Sequence, residues 1–405
     1  MSKKGFEQLA RKTSLYPQES LLETKTKKGA FYIGIPREIA MQESRVSLTP
    51  DAVALLVNND VEVIVESKAG QGSKFSDADY SEAGAKIVFS PEEVYKAGII
   101  LKIEPPTLDE IALMRANQVL ISAFQFGNQM PEYINALNKK KVIALAYEFI
   151  EDKVGGMPIV RALSEIAGST VMLIAAEYMS NANNGKGVII GGITGVPPTK
   201  VVILGAGTVG EYAARAALGL GAEIQIFDNH LYKLRRIKHS LGQQVYTSTI
   251  DTVTMSQTLR SADVVIGALR PEKGRNKYVV TEQMVSQMKP DSLIIDLTID
   301  QGGCVETAEL TTLDNPTFRK YDVIHYCVPN LPSRVAHTAS TALSNIFTPT
   351  ILRAAEEGGI EEMIFAHRWF MKGVYTFRGS LTNEYMANKF GIPFKNLELL
   401  LAARF

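Results

Sequence analysis

The stretch that most restricts what this chain can fold into is KVVILGAGTVGEYAARAALGLGAEIQIFD, residues 200–228. Gly205, Gly207 and Gly210 form G-x-G-x-x-G directly after the apolar run Val201–Leu204 and directly before a helical run, and Asp228 closes the next apolar run, 23 residues after Gly205. The first glycine permits a tight strand-to-helix bend, the second admits a pyrophosphate against bare backbone, and the third lets helix and strand pack closely, with helix-terminal N–H groups facing the phosphates. An isolated glycine triplet reads equally well as a helix-packing turn; the strand before it, the helix after it and the acid beyond point to a dinucleotide. An acid at that strand end accepts both ribose hydroxyls and repels a 2′-phosphate, which favours NAD over NADP, while Lys233, Arg235 and Arg236 work in the opposite sense.

The same alternation fills most of the chain. From residue 31, FYIGIP, VEVIVES, GIILKIE, QVLISAFQF and KVIALAYEFI alternate with helical stretches, and after residue 200 so do ADVVIGAL, DSLIIDLTID and DVIHYCV. Near-continuous apolar strands of this kind are buried on both faces of a parallel sheet. With 405 residues, the chain exceeds what one core normally organises. The expectation is an α/β fold of two Rossmann-like domains with parallel sheets, a cleft between them, and two long helices, PIVRALSEIAGSTVMLIAAEYMSN and SRVAHTASTALSNIFTPTILRAAEE, linking them. The expected division is an extension at 1–30, a discontinuous substrate domain at 31–161 and 335–405, and an NAD-binding domain at 162–334. A ligand then belongs in the cleft.

Composition narrows the partners. Forty-three basic and 43 acidic side chains cancel, removing the positive field that nucleic acid or an anionic membrane surface requires. No run approaches the roughly 18 consecutive apolar residues of a membrane span. Two cysteines, Cys304 and Cys327, make neither a disulfide framework nor a zinc site, which suits a reducing cytoplasm, and no metal is expected. The first thirty residues lack the apolar core of a secretion signal. All five histidines lie beyond residue 229, so the first half offers no imidazole.

The motifs IGIPREI, ESRVSLTP, ESKAGQGSKFSDADY, SEIAG, GAGTVG, IIDLTIDQGGCVE, YCVPNLPS and KGVYTFRGSLTNEYMANKFGIPF, spread over residues 31–395, resemble the alanine dehydrogenase family, which shares its fold with the NAD-binding part of proton-translocating transhydrogenase. The DQGG form resembles the dehydrogenase branch more closely. The resemblance implies oxidative deamination of an amino acid to a 2-oxo acid and ammonium with NAD. It implies that Arg45 binds the substrate carboxylate, for which a planar guanidinium is suited, and that Asp300 orients the amine or the attacking water across the cleft. Asp300 also reads as a loop cap after a strand. Ser164 resembles a residue facing the dinucleotide and reads equally as a helix N-cap with Glu165 in the first turn. Asn330 resembles a residue near the nicotinamide. The family usually forms hexamers, so a homo-oligomer is expected.

Two family positions depart. Where the family has a second carboxylate-binding Lys, in the motif matched by LKIEPP, this chain has Glu104; where it has an acid–base His, in the motif matched by ISAFQFGN, it has Gln125. Lys102, two residues earlier on a strand, points to the opposite face. A carboxylate beside Arg45 repels a substrate carboxylate, and glutamine exchanges no proton near neutral pH, where acid–base help is worth about 10²–10⁴ in rate. Either Glu104 pairs with Arg45 as a structural ion pair, or Glu104 and Gln125 recognise a different substrate, one with a cationic or amide group. The charged segment RPEKGRNKYV (270–279), near the expected nicotinamide site, points to the second reading. Two classes follow: an NAD-dependent amino-acid oxidoreductase, or a non-catalytic NAD(H)-binding sensor or partner subunit. A filled cleft with Glu104 bridged to Arg45 supports the sensor, and open space beside the nicotinamide supports the enzyme.

Overall fold

The computed structural model describes residues 31–126, 129–269 and 278–402. The extension at 1–30 and residues 270–277 of the charged segment therefore lie outside the described residues.

Two sheets organise the chain. The first contains β1 (Tyr32–Ile35), β2 (Glu62–Glu66), β3 (Lys86–Val88), β4 (Ile99–Leu101), β5 (Val119–Ser122) and β6 (Ile143–Ala146). The second contains β7 (Lys200–Leu204), β8 (Glu223–Phe227), β9 (Tyr246–Ser248), β10 (Val264–Gly267), β11 (Leu293–Asp296), β12 (Thr317–Lys320) and β13 (Val323–Tyr326). Near the end of the chain, β14 (Val374–Phe377) and β15 (Ser380–Leu381) return to the first sheet. Its order is β15-β14-β6-β5-β4-β1-β2-β3, and that of the second is β12-β13-β11-β10-β7-β8-β9. Pairing is parallel from β1 to β6 and from β7 to β11 and β13. Antiparallel pairing is confined to β12, β14 and β15.

Burial on both faces explains the unbroken apolar strands. In β7, Val201 and Ile203 pack into one core while Val202 and Leu204 pack into another, as the two-residue period of a strand requires. The strand order reverses between β1 and β4 in the first sheet and between β7 and β10 in the second. Such reversals part the loops beyond the carboxyl ends of the strands and leave a crevice there. The loops following β1, β4 and β5 contain Arg45, Glu104 and Gln125, and the turn following β7 contains the three glycines.

The first linking helix, Pro158–Tyr178, starts with proline, whose missing N–H costs nothing at that position. It is long and apolar enough to cross a membrane by length and composition alone. Its apolar side is engaged instead: Ile159 packs in the core of the first sheet, and Val171, Met172, Ile174 and Ala175 pack in that of the second. A Cβ on its Gly168 would lie 2.4 Å from the Val209 carbonyl oxygen, so the glycine of SEIAG allows close crossing with the helix Thr208–Gly219. The second linking helix is not continuous across 333–357. A short helix, Leu331–Arg334, ends at Val335 (φ −120°, ψ 50°), and the long one runs from Ala336 to Glu356.

Candidate functional site

The glycine turn has the three separate backbone demands read from its spacing. Gly205 has φ +111° and would place a Cβ 2.6 Å from the Ala268 carbonyl oxygen. A Cβ on Gly210 would sit 1.8 Å from the Gly205 carbonyl oxygen, whereas one on Gly207 would meet nothing within 4 Å. Gly207 is the N-cap of the helix Thr208–Gly219, so an open space lies over the positive end of a twelve-residue helix. Asp228 is buried at the end of β8, and its Oδ2 accepts the Ala206 N–H of the turn at 2.9 Å. Its Oδ1 accepts the His230 N–H at 2.8 Å, with His230 Nδ1 at 3.0 Å. Burial opposes its charge, but those backbone and imidazole donors, with Lys233 behind them, hold its carboxyl below the ordinary carboxylate range. Arg236 donates to the Ala206 carbonyl oxygen at 2.9 Å. One basic neighbour therefore braces the turn.

Four side chains from the first sheet meet in one buried cluster. Arg45 is 4% exposed; its Nε donates to Glu43 Oε1 at 2.8 Å, and its Nη2 reaches Glu43 Oε2 at 2.5 Å and Glu104 Oε1 at 3.3 Å. Glu104 Oε2 accepts a hydrogen bond from Gln125 Nε2. Glu43 is bound from the other side as well, by Asn330 Nδ2 at 2.9 Å and by Ser333 Oγ at 3.2 Å. Asn330 has a left-handed backbone (φ +57°) just after β13, so it ties the loop ends of the two sheets together. Burial opposes the charge of Glu43, but Arg45 outweighs it and holds that carboxyl below its usual value. For Glu104 the balance is reversed: burial first, then the Glu43 charge, push its carboxyl up to about 8 against the pull of Arg45.

Lys102 does not join this cluster. It is fully buried, with Nζ 2.8 Å from Glu110 Oε1 and 3.2 Å from Glu38 Oε2, and an ammonium held by two carboxylates cannot stand in for the lysine replaced at Glu104. The pairing of Glu104 with Arg45 is present, yet the space beside it is open. A cavity of about 450 Å³ is lined by Glu104, Gln125, Gln129, Glu132 and Tyr133 among others.

Asp300 is exposed in a 3₁₀ turn, Ile299–Gln301, three residues beyond β11. The turn is shaped by Asp296, whose carboxylate accepts N–H groups of Thr298, Cys304 and Val305 at 2.9, 2.8 and 3.1 Å. The adjacent Gly302 and Gly303 take φ of +101° and +71°, conformations that a side chain would strain. Ser164 is not an N-cap: the first linking helix starts at Pro158 with Met157 as its cap, so Ser164 lies well inside, half-buried. The helix begins early because Pro158, not Ser164, supplies the start signal.

Sequence reasoning missed Glu43, Ser333 and Asp296. An acid two residues before an arginine in ESRVSLTP was the available signal for Glu43; Ser333 carried none, since its contact spans 290 residues.

The profile described as Alanine dehydrogenase/PNT, N-terminal domain, matches residues 34–167, and that of the Alanine dehydrogenase/PNT, C-terminal domain, matches 171–384. Alanine dehydrogenase 2 of Staphylococcus aureus (strain USA300) is 37% identical over 367 residues, 90% of this chain and 98% of that protein. Alanine dehydrogenase of Mycolicibacterium smegmatis is 36% identical over 371 residues, 91% of this chain and 100% of that protein. A solved L-alanine dehydrogenase superposes with a TM-score of 0.83 at 34% identity, covering 89% of this chain and 99% of its own. A transhydrogenase from Sinorhizobium meliloti shares the fold, with a TM-score of 0.74 at 24% identity over 87% of this chain and 99% of its own. The doubly wound pair of sheets, the glycine turn and these matches agree, and the chain belongs to the alanine dehydrogenase/PNT family.

Proposed function

We propose that this protein is an NAD-dependent oxidoreductase of the alanine dehydrogenase type, converting an amino acid to the 2-oxo acid and ammonium. The observation that supports it best is the Asn330–Glu43 hydrogen bond of 2.9 Å. It brings the Arg45 cluster, at the switch point of one sheet, against the loop ends of the sheet that bears the glycine turn. The names of the relatives fit the same reading.

The residues present suit a dinucleotide. Open space at Gly207 leaves room for a pyrophosphate at the helix N-terminus, and Asp228, held ionised, suits two ribose hydroxyls and disfavours a 2′-phosphate. When bound, NAD accepts the hydride from the substrate Cα. Arg45 would orient the substrate carboxylate, Asp300 the amine or water, and Asn330 the nicotinamide side of the cleft; Ser164 would face the dinucleotide. Both cysteines are buried and unpaired, as suits a reducing cytoplasm. The exposed Leu173, Ile189, Ile193 and Val196 suit a homo-oligomer, for which the family hexamer is the reference.

The test is NADH formation from NAD with L-alanine and a panel of other amino acids, together with the reverse reaction from pyruvate, ammonium and NADH. Turnover that vanishes in Asp300→Asn while NADH affinity stays unchanged supports the assignment. Silence across the panel with NADH binding intact would overturn it in favour of the non-catalytic reading.

A further inference from the structure

An amino-acid dehydrogenase must move protons as well as a hydride, and the first sheet offers no imidazole to do it. The histidines are engaged elsewhere or lie outward. His325 is buried against Thr307 at 2.7 Å, His337 bonds the Ser73 carbonyl at 2.9 Å, His367 bonds Glu357 at 2.6 Å, His230 bonds Asp228, and His239 is exposed on a helix. At the mouth of the cluster stands Glu104, with one carboxyl oxygen on Arg45 and the other on Gln125, and with its side chain lining the 450 Å³ cavity.

We propose that Glu104 is the proton-exchanging residue of this site and that Gln125 is its positioning residue, so that a carboxyl–carboxamide pair does the work of an imidazole. The inference rests on the amino-acid dehydrogenase reading above. Loss of one ammonium proton and transfer of a hydride from Cα leave a C=NH₂⁺ group. Water adds to its carbon and gives one proton to the Glu104 carboxylate. The resulting carboxylic acid returns that proton to the nitrogen; as the C–N bond breaks, the new hydroxyl gives its proton, through the Glu104 carboxylate, to the departing ammonia, and 2-oxo acid and ammonium leave. Glu104 ends as it began, and one proton is released overall.

The surroundings suit the role. Burial and the charges of Glu43 and Glu38 favour the protonated form of Glu104, Arg45 favours the ionised form, and the balance lies at about 8, where both forms are populated near neutral pH. The buried Tyr147 phenol couples electrostatically to Glu104, and Glu132 lines the cavity from the helix Pro131–Lys139. Gln125, held at φ +50°, has its backbone N–H on Glu148 Oε1 at 3.1 Å. Its carboxamide donates to Glu104 at any pH and does not compete for the proton.

The experiment is the pH dependence of kcat/KM for NADH formation with NAD and L-alanine, or the panel amino acid that turns over, in the wild type, Glu104→Gln, Glu104→Asp and Gln125→Leu, with NADH affinity measured in parallel. The wild-type profile should rise with pH and level off near 8. Glu104→Gln should lose about 10²–10⁴ in rate and the rising limb with it, Glu104→Asp should keep a limb at reduced rate, and Gln125→Leu should shift the limb. NADH affinity should hold within about twofold throughout. Glu104→Gln within about threefold of wild type, or with its limb unchanged, overturns the inference and leaves the amino-acid reading standing. If Glu104→Gln fails to fold, a wild-type profile without a limb between pH 6 and 10 overturns it equally. A wild type that binds NADH but oxidises no amino acid overturns the parent reading, and this inference with it.

Discussion

Two alanine substitutions three residues apart in the glycine turn, at Gly207 and Gly210, should have different consequences. At Gly207 the backbone (φ −75°, ψ −168°) is open to any residue and a Cβ meets nothing within 4 Å. Gly207→Ala loses a few tenths of a kcal/mol as a poorer cap and regains a similar amount by restricting the unfolded chain, so stability should stay within about 0.5 kcal/mol. The methyl group occupies the space left for the pyrophosphate. Losing charge-assisted contacts there costs about 1.5–3 kcal/mol, or roughly 10–150-fold in Kd. At Gly210 the added Cβ would lie 1.8 Å from the Gly205 carbonyl oxygen, so helix and turn must part by more than an ångström. Forced overpacking costs about 1–3 kcal/mol, which for a domain of this size lowers Tm by roughly 2–12 °C, and binding fails because the turn is displaced. NADH fluorescence titration and thermal melts of both variants make the comparison. Wild-type NADH affinity in Gly207→Ala would refute the pyrophosphate placement, and a wild-type melt in Gly210→Ala would refute the close-packing argument.

Arg45→Met should destabilise the protein by about 3–5 kcal/mol, because it strands the buried Glu43 and Glu104 carboxylates; adding Glu104→Gln should recover part of the loss, and an unchanged urea midpoint would contradict the paired cluster. Glu104 also sets a pH dependence of stability. Its carboxyl is raised from 4.5 to about 8 on folding, so between those values the folded state binds more protons than the unfolded state, and stability must fall as pH rises through that window. Melts across the window should show that decline in the wild type and a flatter curve in Glu104→Gln.

Local requirements were legible in the chain itself. The glycine triplet, the strands buried on both faces and the acid closing β8 are each a demand made by backbone geometry or by a burial period, and such demands are met within a few residues of where they are written. The departures at Glu104 and Gln125 could likewise be read as missing chemistry without a structure. What those residues do instead could not be read. Arg45, Glu104 and Gln125 follow three different strands, Glu43 is claimed by Asn330 and Ser333 from almost 290 residues away, and Asp228 turned out to brace the turn it was expected only to complement. The long helix read from the chain as starting at Pro158 does start there, which leaves Ser164 inside it and not at a helix start, and Val335 broke a helix that periodicity alone would have continued. Composition and spacing thus determined the fold class and the nucleotide turn, because these follow from local sterics and apolar periodicity. The partners of the cleft carboxylates, and so their charge, were decided only by tertiary packing, because a pKa depends on which groups are buried together and not on their order in the chain.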